Sequence, residues 1–99
     1  MISVAIPLKE IADFCRKNNI ARLAVFGSAI KGGVREEGDV DFLVTFEPDA
    51  KIGLIRMAHI ENELSGIIGK KADLRTPMDL SRYFRQEVLA EAEVVYEKG

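Results

Sequence analysis

The sequence predicts an α/β fold in which helices pack on a small mixed β-sheet of three to four strands. Two short apolar runs, at 20–26 and 39–46, are flanked by turn-forming residues, as is typical of buried strands. Stretches with apolar residues at helical spacing alternate with these runs along the chain, which indicates the α/β class. At 99 residues the chain can bury one modest core, so we expect a single domain over 1–99.

The first predicted helix begins near Pro7 and ends at Asn18 and Asn19. Proline suits the first turn of a helix, where its missing N–H would have no partner in any case. The apolar residues that follow recur at helical spacing and are Leu8, Ile11, Ala12, Phe14 and Cys15. Cys15 is the only cysteine and cannot form an internal disulfide, so we expect a buried thiol and a reducing, cytoplasmic location.

Two strands are predicted on either side of a loop that is rich in glycine and charge. The first is Ile20–Phe26, and the second covers 39–46 and ends before Pro48. The loop at 32–38 carries the chain from one strand to the other.

The second half of the chain is predicted to contain a helix at 51–68, a strand at 72–76, a helix at 82–91 and an edge strand at 93–96. Pro77 ends the third strand because proline cannot donate to a sheet. One series in the helix at 51–68 fits an amphipathic stripe: Leu54, Met57, Ala58, Glu61, Leu64 and Ile68.

Composition argues against two classes of function. The formal net charge is −2 and the basic residues are scattered, whereas a protein that grips nucleic acid needs a basic stripe. No apolar run approaches the roughly 18–20 residues that would cross a bilayer, and the first residues do not form a signal peptide. We therefore expect no membrane association and no nucleic-acid substrate.

Asp39 and Asp41 are separated by one residue at the start of the second apolar run. Successive side chains on a strand alternate between faces, so these two should project to one side, about 6.5–7 Å apart along the backbone. Such carboxylates repel unless a cation lies between them, and Mg²⁺ takes carboxylate and phosphate oxygens together. A solvated strand end would explain Asp39 alone. Asp41 is harder to explain in that way, because a carboxylate inside an apolar strand is costly to bury without a partner.

Gly27 and Ser28 follow the first strand and open a helical turn. Backbone N–H groups at such a junction can bind a phosphate, which Gly27 lets approach closely. Ser28 adds a hydroxyl donor, and Lys31 lies near enough in sequence to add a positive charge. Taken alone, these residues are better explained as an ordinary turn with a helix cap. Together with Asp39 and Asp41 they predict a site for a metal-bound nucleotide.

Asp73 lies between Ala72 and Leu74 in the third predicted strand. If the second and third strands are neighbours, Asp73 meets Asp39 and Asp41, and three carboxylates can hold divalent ions on a triphosphate. Without that pair, Asp73 is equally well explained as a structural residue at a strand end.

Other polar residues favour ordinary roles. His59 is the only histidine and has no second ligand at metal spacing, so we expect a packing or surface position. Arg75 could contact a substrate, but an exposed strand position is the better interpretation. The charges of 82–91 fit a solvated helix face, although Arg82, Tyr83 and Arg85 could meet a partner protein.

The combined pattern resembles the minimal nucleotidyltransferase (MNT) family, which belongs to the polymerase-beta-like nucleotidyltransferase superfamily. The matching segments are 25–28, 31–32, 38–44 and 72–74, and the resemblance extends from about residue 8 to the end. Gly-Ser followed at this spacing by Asp-x-Asp is specific, whereas either half alone is not. The resemblance implies a nucleotidyltransferase fold.

The resemblance also implies Mg²⁺-dependent transfer of AMP from ATP to a hydroxyl group. By position, Asp39, Asp41 and Asp73 would be catalytic and hold the metal ions, and Gly27 and Ser28 would bind the phosphates. Many such domains are antitoxins that bind a HEPN-family ribonuclease toxin and adenylylate its tyrosine. We therefore expect a hetero-oligomer with a HEPN toxin.

Two departures from the family pattern and two alternative functions need mention. Lys31 replaces a frequent arginine and loses its bidentate fork for phosphate, and Gly38 replaces a frequent serine. A non-catalytic antitoxin that occludes a helical partner is the main alternative. Transfer to a tRNA end or an antibiotic is less favoured, because such enzymes generally carry further domains for the acceptor.

Overall fold

A four-stranded mixed sheet organises the part of the protein that the structure describes. The computed structural model describes residues 6–26, 39–83 and 85–98. Its strands are β1 (Ile20–Phe26), β2 (Val40–Phe46), β3 (Ala72–Arg75) and β4 (Glu93–Glu97), and they lie in the order β3-β2-β1-β4. β1 is antiparallel to β2 and β4, whereas β2 and β3 are parallel. The predicted small mixed sheet is confirmed.

In the part of the chain that the structure describes, three α-helices and one 3₁₀ turn accompany these strands. They are α1 (Leu8–Lys17), α2 (Leu54–Ile68), α3 (Arg85–Glu91) and the 3₁₀ turn Pro77–Asp79. α2 forms the crossover between β2 and β3, as a parallel strand pair requires. None of the helices in the described parts of the chain is both long and apolar enough to span a bilayer.

The core lies between the sheet and the helices α1 and α2. Alternate strand residues supply one side of it: Leu23, Val25, Val40, Phe42, Val44, Ala72 and Leu74. The helices supply the other side: Ile11, Phe14, Cys15, Ile60 and Leu64. Because side chains alternate along a strand, Asp41 and Asp73 are directed away from this core.

Several boundaries differ from the sequence prediction. β2 begins at Val40, whose N–H donates to the Lys71 carbonyl at 2.9 Å, so Asp39 precedes the strand. α2 begins at Leu54 because Gly53 is extended, with ψ of 177°. α3 begins only at Arg85, whose N–H donates to the Ser81 carbonyl at 2.9 Å, and a turn occupies 82–83.

The apolar stripe predicted for α2 was partly wrong. Leu54 is 91% exposed and Ala58 is also exposed, whereas Ile60 and Leu64 are buried. The helix has apolar residues on more than one side, so periodicity alone could not select the buried stripe.

Candidate functional site

The register of the sheet places Asp41 beside Asp73. In the parallel pairing of β2 and β3, Asp41 is the direct partner of Asp73, and Phe42 is the partner of Leu74. Neighbouring strands lie about 4.8 Å apart, so the two carboxylates start from adjacent positions on one face of the sheet. The strand adjacency on which the predicted site depends is therefore present.

The electrostatics of Asp41 reflect this crowding. Burial raises the pKa of Asp41, because it disfavours the charged carboxylate. The negative charges of Asp73 and Asp39 raise that pKa further, while the Arg75 guanidinium opposes them. Asp73 and Asp39 thus both act on Asp41, and the positive charge of Arg75 partly compensates them there.

Two cations on or beside β3 offset the acidic residues. Arg75 Nη2 lies 3.3 Å from Asp73 Oδ2, and Lys71 Nζ lies 3.9 Å from Asp39 Oδ2. Arg75 is exposed, as the sequence predicted, but its ion pair with Asp73 was missed. Lys71, Asp73 and Arg75 alternate along the chain, and this spacing was the available signal for a shared face.

The carboxylates are not arranged as a formed metal site. Within 6–26, 39–83 and 85–98, no group of three or more His, Cys, Asp or Glu side chains is placed to hold a metal ion. The donor set nevertheless suits Mg²⁺, which prefers carboxylate oxygens. The charge crowding at Asp41 is also the condition that a bound cation would relieve. The ligand roles of Asp39, Asp41 and Asp73 stay a prediction.

The predicted phosphate-binding residues lie outside the described residues. Gly27, Ser28 and Lys31 all belong to 27–38, so their role stays a prediction. Phe26 is the last described residue before this segment and is the strand partner of Asp41. Asp39 is the first described residue after it.

Side chains of α2 form hydrogen bonds with the outer edge of β3, the strand that contains Asp73. The N–H of Ala72 donates to Ser65 Oγ, and the N–H of Leu74 donates to Glu61 Oε2, both at 2.8 Å. Sequence reasoning gave neither acceptor a role. The signal for Glu61 was its position as the one carboxylate in an otherwise apolar helical series.

The two other candidates from the sequence lie away from this site. His59 is exposed on α2, consistent with the predicted packing or surface position. Cys15 is fully buried, and burial raises the pKa of its thiol to about 12, although Arg16 opposes the shift. The buried role predicted for Cys15 is confirmed.

Relatives of known classification share both sequence and fold. The protein adenylyltransferase MntA of Thermococcus cleftensis is 34% identical over 77 residues, which cover 78% of this chain and 74% of the relative. A toxin-antitoxin crystal structure with AMP-PNP has a TM-score of 0.74 at 18% identity, covering 94% of this chain and 75% of that one. A structure of the tri-AMPylated Shewanella oneidensis HEPN toxin in complex with MNT antitoxin has a TM-score of 0.65 at 17% identity, with 92% and 70% covered.

The two structures, at these identities, show the fold alone. The sequence match to MntA is stronger, and it agrees with the resemblance seen in the motifs. Residues 9–99 match the sequence profile of the family described as polymerase beta, nucleotidyltransferase. This protein therefore belongs to the polymerase beta nucleotidyltransferase family.

Proposed function

We propose that this protein is an antitoxin that transfers AMP from ATP, with Mg²⁺, to a tyrosine hydroxyl of a HEPN-family toxin. The observation that carries the proposal is the pairing of Asp41 with Asp73 across β2 and β3. Asp39 lies close enough to act electrostatically on Asp41. A cluster of carboxylates on one face of the sheet is what a site for a metal-bound triphosphate requires.

In this proposal Asp39, Asp41 and Asp73 hold the metal ions, and Gly27, Ser28 and Lys31 bind the phosphates. Bound Mg²⁺ supplies positive charge against the triphosphate. Asp73 accepts the proton of the attacking hydroxyl at a carboxylate oxygen. The hydroxyl oxygen bonds to the α-phosphorus, the bond from that phosphorus to the β-phosphate bridge breaks, and pyrophosphate leaves.

The nature of the acceptor is supported by the relatives. The neighbouring Shewanella oneidensis structure contains a tri-AMPylated HEPN toxin together with its MNT antitoxin. The Thermococcus cleftensis relative is named a protein adenylyltransferase. We propose that residues 1–99 act as one cytoplasmic nucleotidyltransferase domain and that the toxin brings the acceptor hydroxyl to it.

The test is transfer of label from α-labelled ATP to a HEPN-family toxin, and the product of the adjacent reading frame is the first one to try. We expect labelled toxin with the unaltered protein and no label with Asp41→Asn or Asp73→Asn. Asp49→Asn is a matched control, because Asp49 is exposed and follows the end of β2. Absence of label with the unaltered protein, or equal label with Asp41→Asn, would reject the proposal.

The alternative is a non-catalytic antitoxin that covers its partner. One observation favours it: Met78 and Tyr83 are each 79% exposed, and the Arg82 guanidinium lies 5.4 Å from the centre of the Tyr83 ring. Exposed aromatic and arginine side chains are enriched at protein interfaces. Under this alternative, Asp41→Asn would still suppress toxicity in full, whereas Tyr83→Ala would not.

A further inference from the structure

The edge strand β3 depends on α2 for its outer hydrogen bonds. β3 has four residues, and among the strands of the described residues it pairs with β2 alone. On its other side the N–H groups of Ala72 and Leu74 donate to Ser65 Oγ and Glu61 Oε2. Because Ala72 and Leu74 are buried, these N–H groups would otherwise lack a partner. The two side chains thus take the place of a further strand.

Glu61 and Ser65 act from the same stripe of α2. They are four residues apart, so they lie on successive turns of one helix face. The Ser65 hydroxyl also donates to the Glu61 carbonyl at 2.8 Å, which directs its lone pairs toward Ala72. The two acceptors therefore contact β3 immediately before and immediately after Asp73, at Ala72 and Leu74.

Asp73 needs such an anchor because its strand pairing is electrostatically unfavourable. Like charges directly opposite each other on neighbouring strands destabilise the pair. Asp41 and Asp73 are direct partners, and Arg75 offsets only part of their repulsion. β3 lies at the end of the sheet order, so among the described strands none pairs with its outer side to resist this force.

We propose that Glu61 and Ser65 are positioning residues that hold Asp73 beside Asp41 by fixing the outer edge of β3. The inference rests on the proposed function, in which Asp73 contributes to metal and nucleotide binding. Glu61 and Ser65 bond to the β3 backbone and act through Asp73. Removing the Glu61 or Ser65 side chain should therefore weaken metal binding, and it should lower the rate of AMP transfer only through that weaker binding.

The chain provides a matched control on the same helix. Glu63 accepts hydrogen bonds from Lys17 Nζ at 2.6 Å and Asn18 Nδ2 at 3.4 Å, so it links α2 to the end of α1 rather than to β3. Glu63→Ala removes the same chemical group as Glu61→Ala. Glu61→Gln keeps a carbonyl oxygen that can accept the Leu74 N–H and removes only the charge.

The experiment titrates Mn²⁺ alone, by calorimetry, into the unaltered protein and its variants. We expect Glu61→Ala and Ser65→Ala to bind Mn²⁺ about 10–100-fold more weakly, the usual effect of losing a group that orients a ligand. Glu61→Gln and Glu63→Ala should bind like the unaltered protein. In the label-transfer assay, Glu61→Ala should need more Mg²⁺ for half-maximal rate and recover at saturating Mg²⁺, which general loosening of the fold would not produce.

The outcomes separate this inference from the proposed function. If the unaltered protein neither binds Mn²⁺ nor transfers AMP, the proposed function fails and this inference fails with it. If it does both and Glu61→Ala and Ser65→Ala keep full Mn²⁺ affinity, the positioning role alone is wrong. Equal weakening by Glu61→Ala and Glu63→Ala would also overturn it. If Glu61→Ala does not fold, the Mn²⁺ affinity of Ser65→Ala tests the positioning role instead. This substitution removes a single hydroxyl and perturbs the fold less.

Discussion

Replacing Asp41 by asparagine is expected to stabilise the fold while abolishing AMP transfer. Burial and the charges of Asp73 and Asp39 raise the pKa of Asp41. A raised pKa means that the folded protein binds the proton of Asp41 more tightly than the unfolded chain does. The contribution of Asp41 to the free energy of unfolding therefore increases as the pH falls through the raised pKa. That contribution is least favourable at neutral pH, where the carboxylate is charged.

The gain from Asp41→Asn should be modest. Asparagine keeps the shape of the side chain and removes its charge, so the repulsion from Asp73 disappears. Asp41 is only partly buried, and Arg75 already offsets some of the repulsion. We expect an increase of about 0.5–1 kcal/mol in the free energy of unfolding. For a domain of this size the increase corresponds to a rise of about 2–6 °C in Tm.

The assay is thermal unfolding followed by circular dichroism in a buffer with chelator. Unaltered protein, Asp41→Asn and the exposed control Asp49→Asn are compared at neutral pH and in mildly acidic buffer. The Tm difference between Asp41→Asn and unaltered protein should shrink as the pH is lowered through the raised pKa of Asp41, because the folded protein then takes up the proton and loses the charge. In a second series without chelator, Mg²⁺ should raise the Tm of the unaltered protein more than that of Asp41→Asn, since a ligand stabilises the state that binds it.

Two results would refute the reasoning about Asp41. One is an unchanged or lower Tm of Asp41→Asn at neutral pH, which would mean that the carboxylate is not repelled in the fold. The other is a stabilisation that persists undiminished in acid, which would mean that the gain has a cause other than charge.

Three further predictions concern stability and reactivity. Cys15 should react with a thiol reagent only after denaturation, because burial raises its pKa to about 12; rapid reaction of the native protein would contradict its burial. Gly69→Ala should lower the free energy of unfolding by about 1 kcal/mol, since Gly69 ends α2 with φ of 73°, whereas Gly66→Ala within the helix should raise it by about 0.5–1 kcal/mol. Urea unfolding measures both changes, and equal effects would argue against the left-handed helix end. Arg75→Gln should lower the Tm, and by less in an Asp41→Asn background; a background-independent loss would show that Arg75 does not compensate Asp41.

Local features of the fold were predictable because local chemistry determines them. β1 has the predicted bounds, Ile20–Phe26. The predicted stop of α1 is also present: Asn18 caps the helix, and Asn19 follows in the left-handed region with φ of 58°. Asparagine tolerates this conformation better than most residues, so a pair of asparagines indicated the stop.

The arrangement of the strands could not be read from local pattern. The adjacency of β2 and β3 arises from the crossover through α2, and no feature of either strand specifies its neighbour. The meeting of Asp41 and Asp73 was therefore only a conditional prediction before the structure. The family resemblance supplied what the pattern alone did not.

The least predictable element was the face of α2. Apolar residues occur around much of the helix, so Leu54 was wrongly assigned to the buried stripe. Glu61 was placed correctly on the inward series, but its bond to the Leu74 N–H depends on β3, which is distant in sequence. When a polar side chain bonds to a distant element of the fold, as Glu61 does, the sequence around it does not predict that bond.

Buried and polar side chains alternate along β3, and this pattern also disfavours a wrong register between β3 and β2. A slip of β3 by one residue along β2 would turn Asp73 inward and leave Leu74 facing water, because the period of a strand is two. Burying an unpaired carboxylate among apolar side chains costs far more than any contact such a slip could gain. The carboxylate to which we assign a role in the proposed chemistry therefore also disfavours the wrong register of the sheet. A variant that neutralises Asp73 should be examined for heterogeneous folding as well as for lost activity.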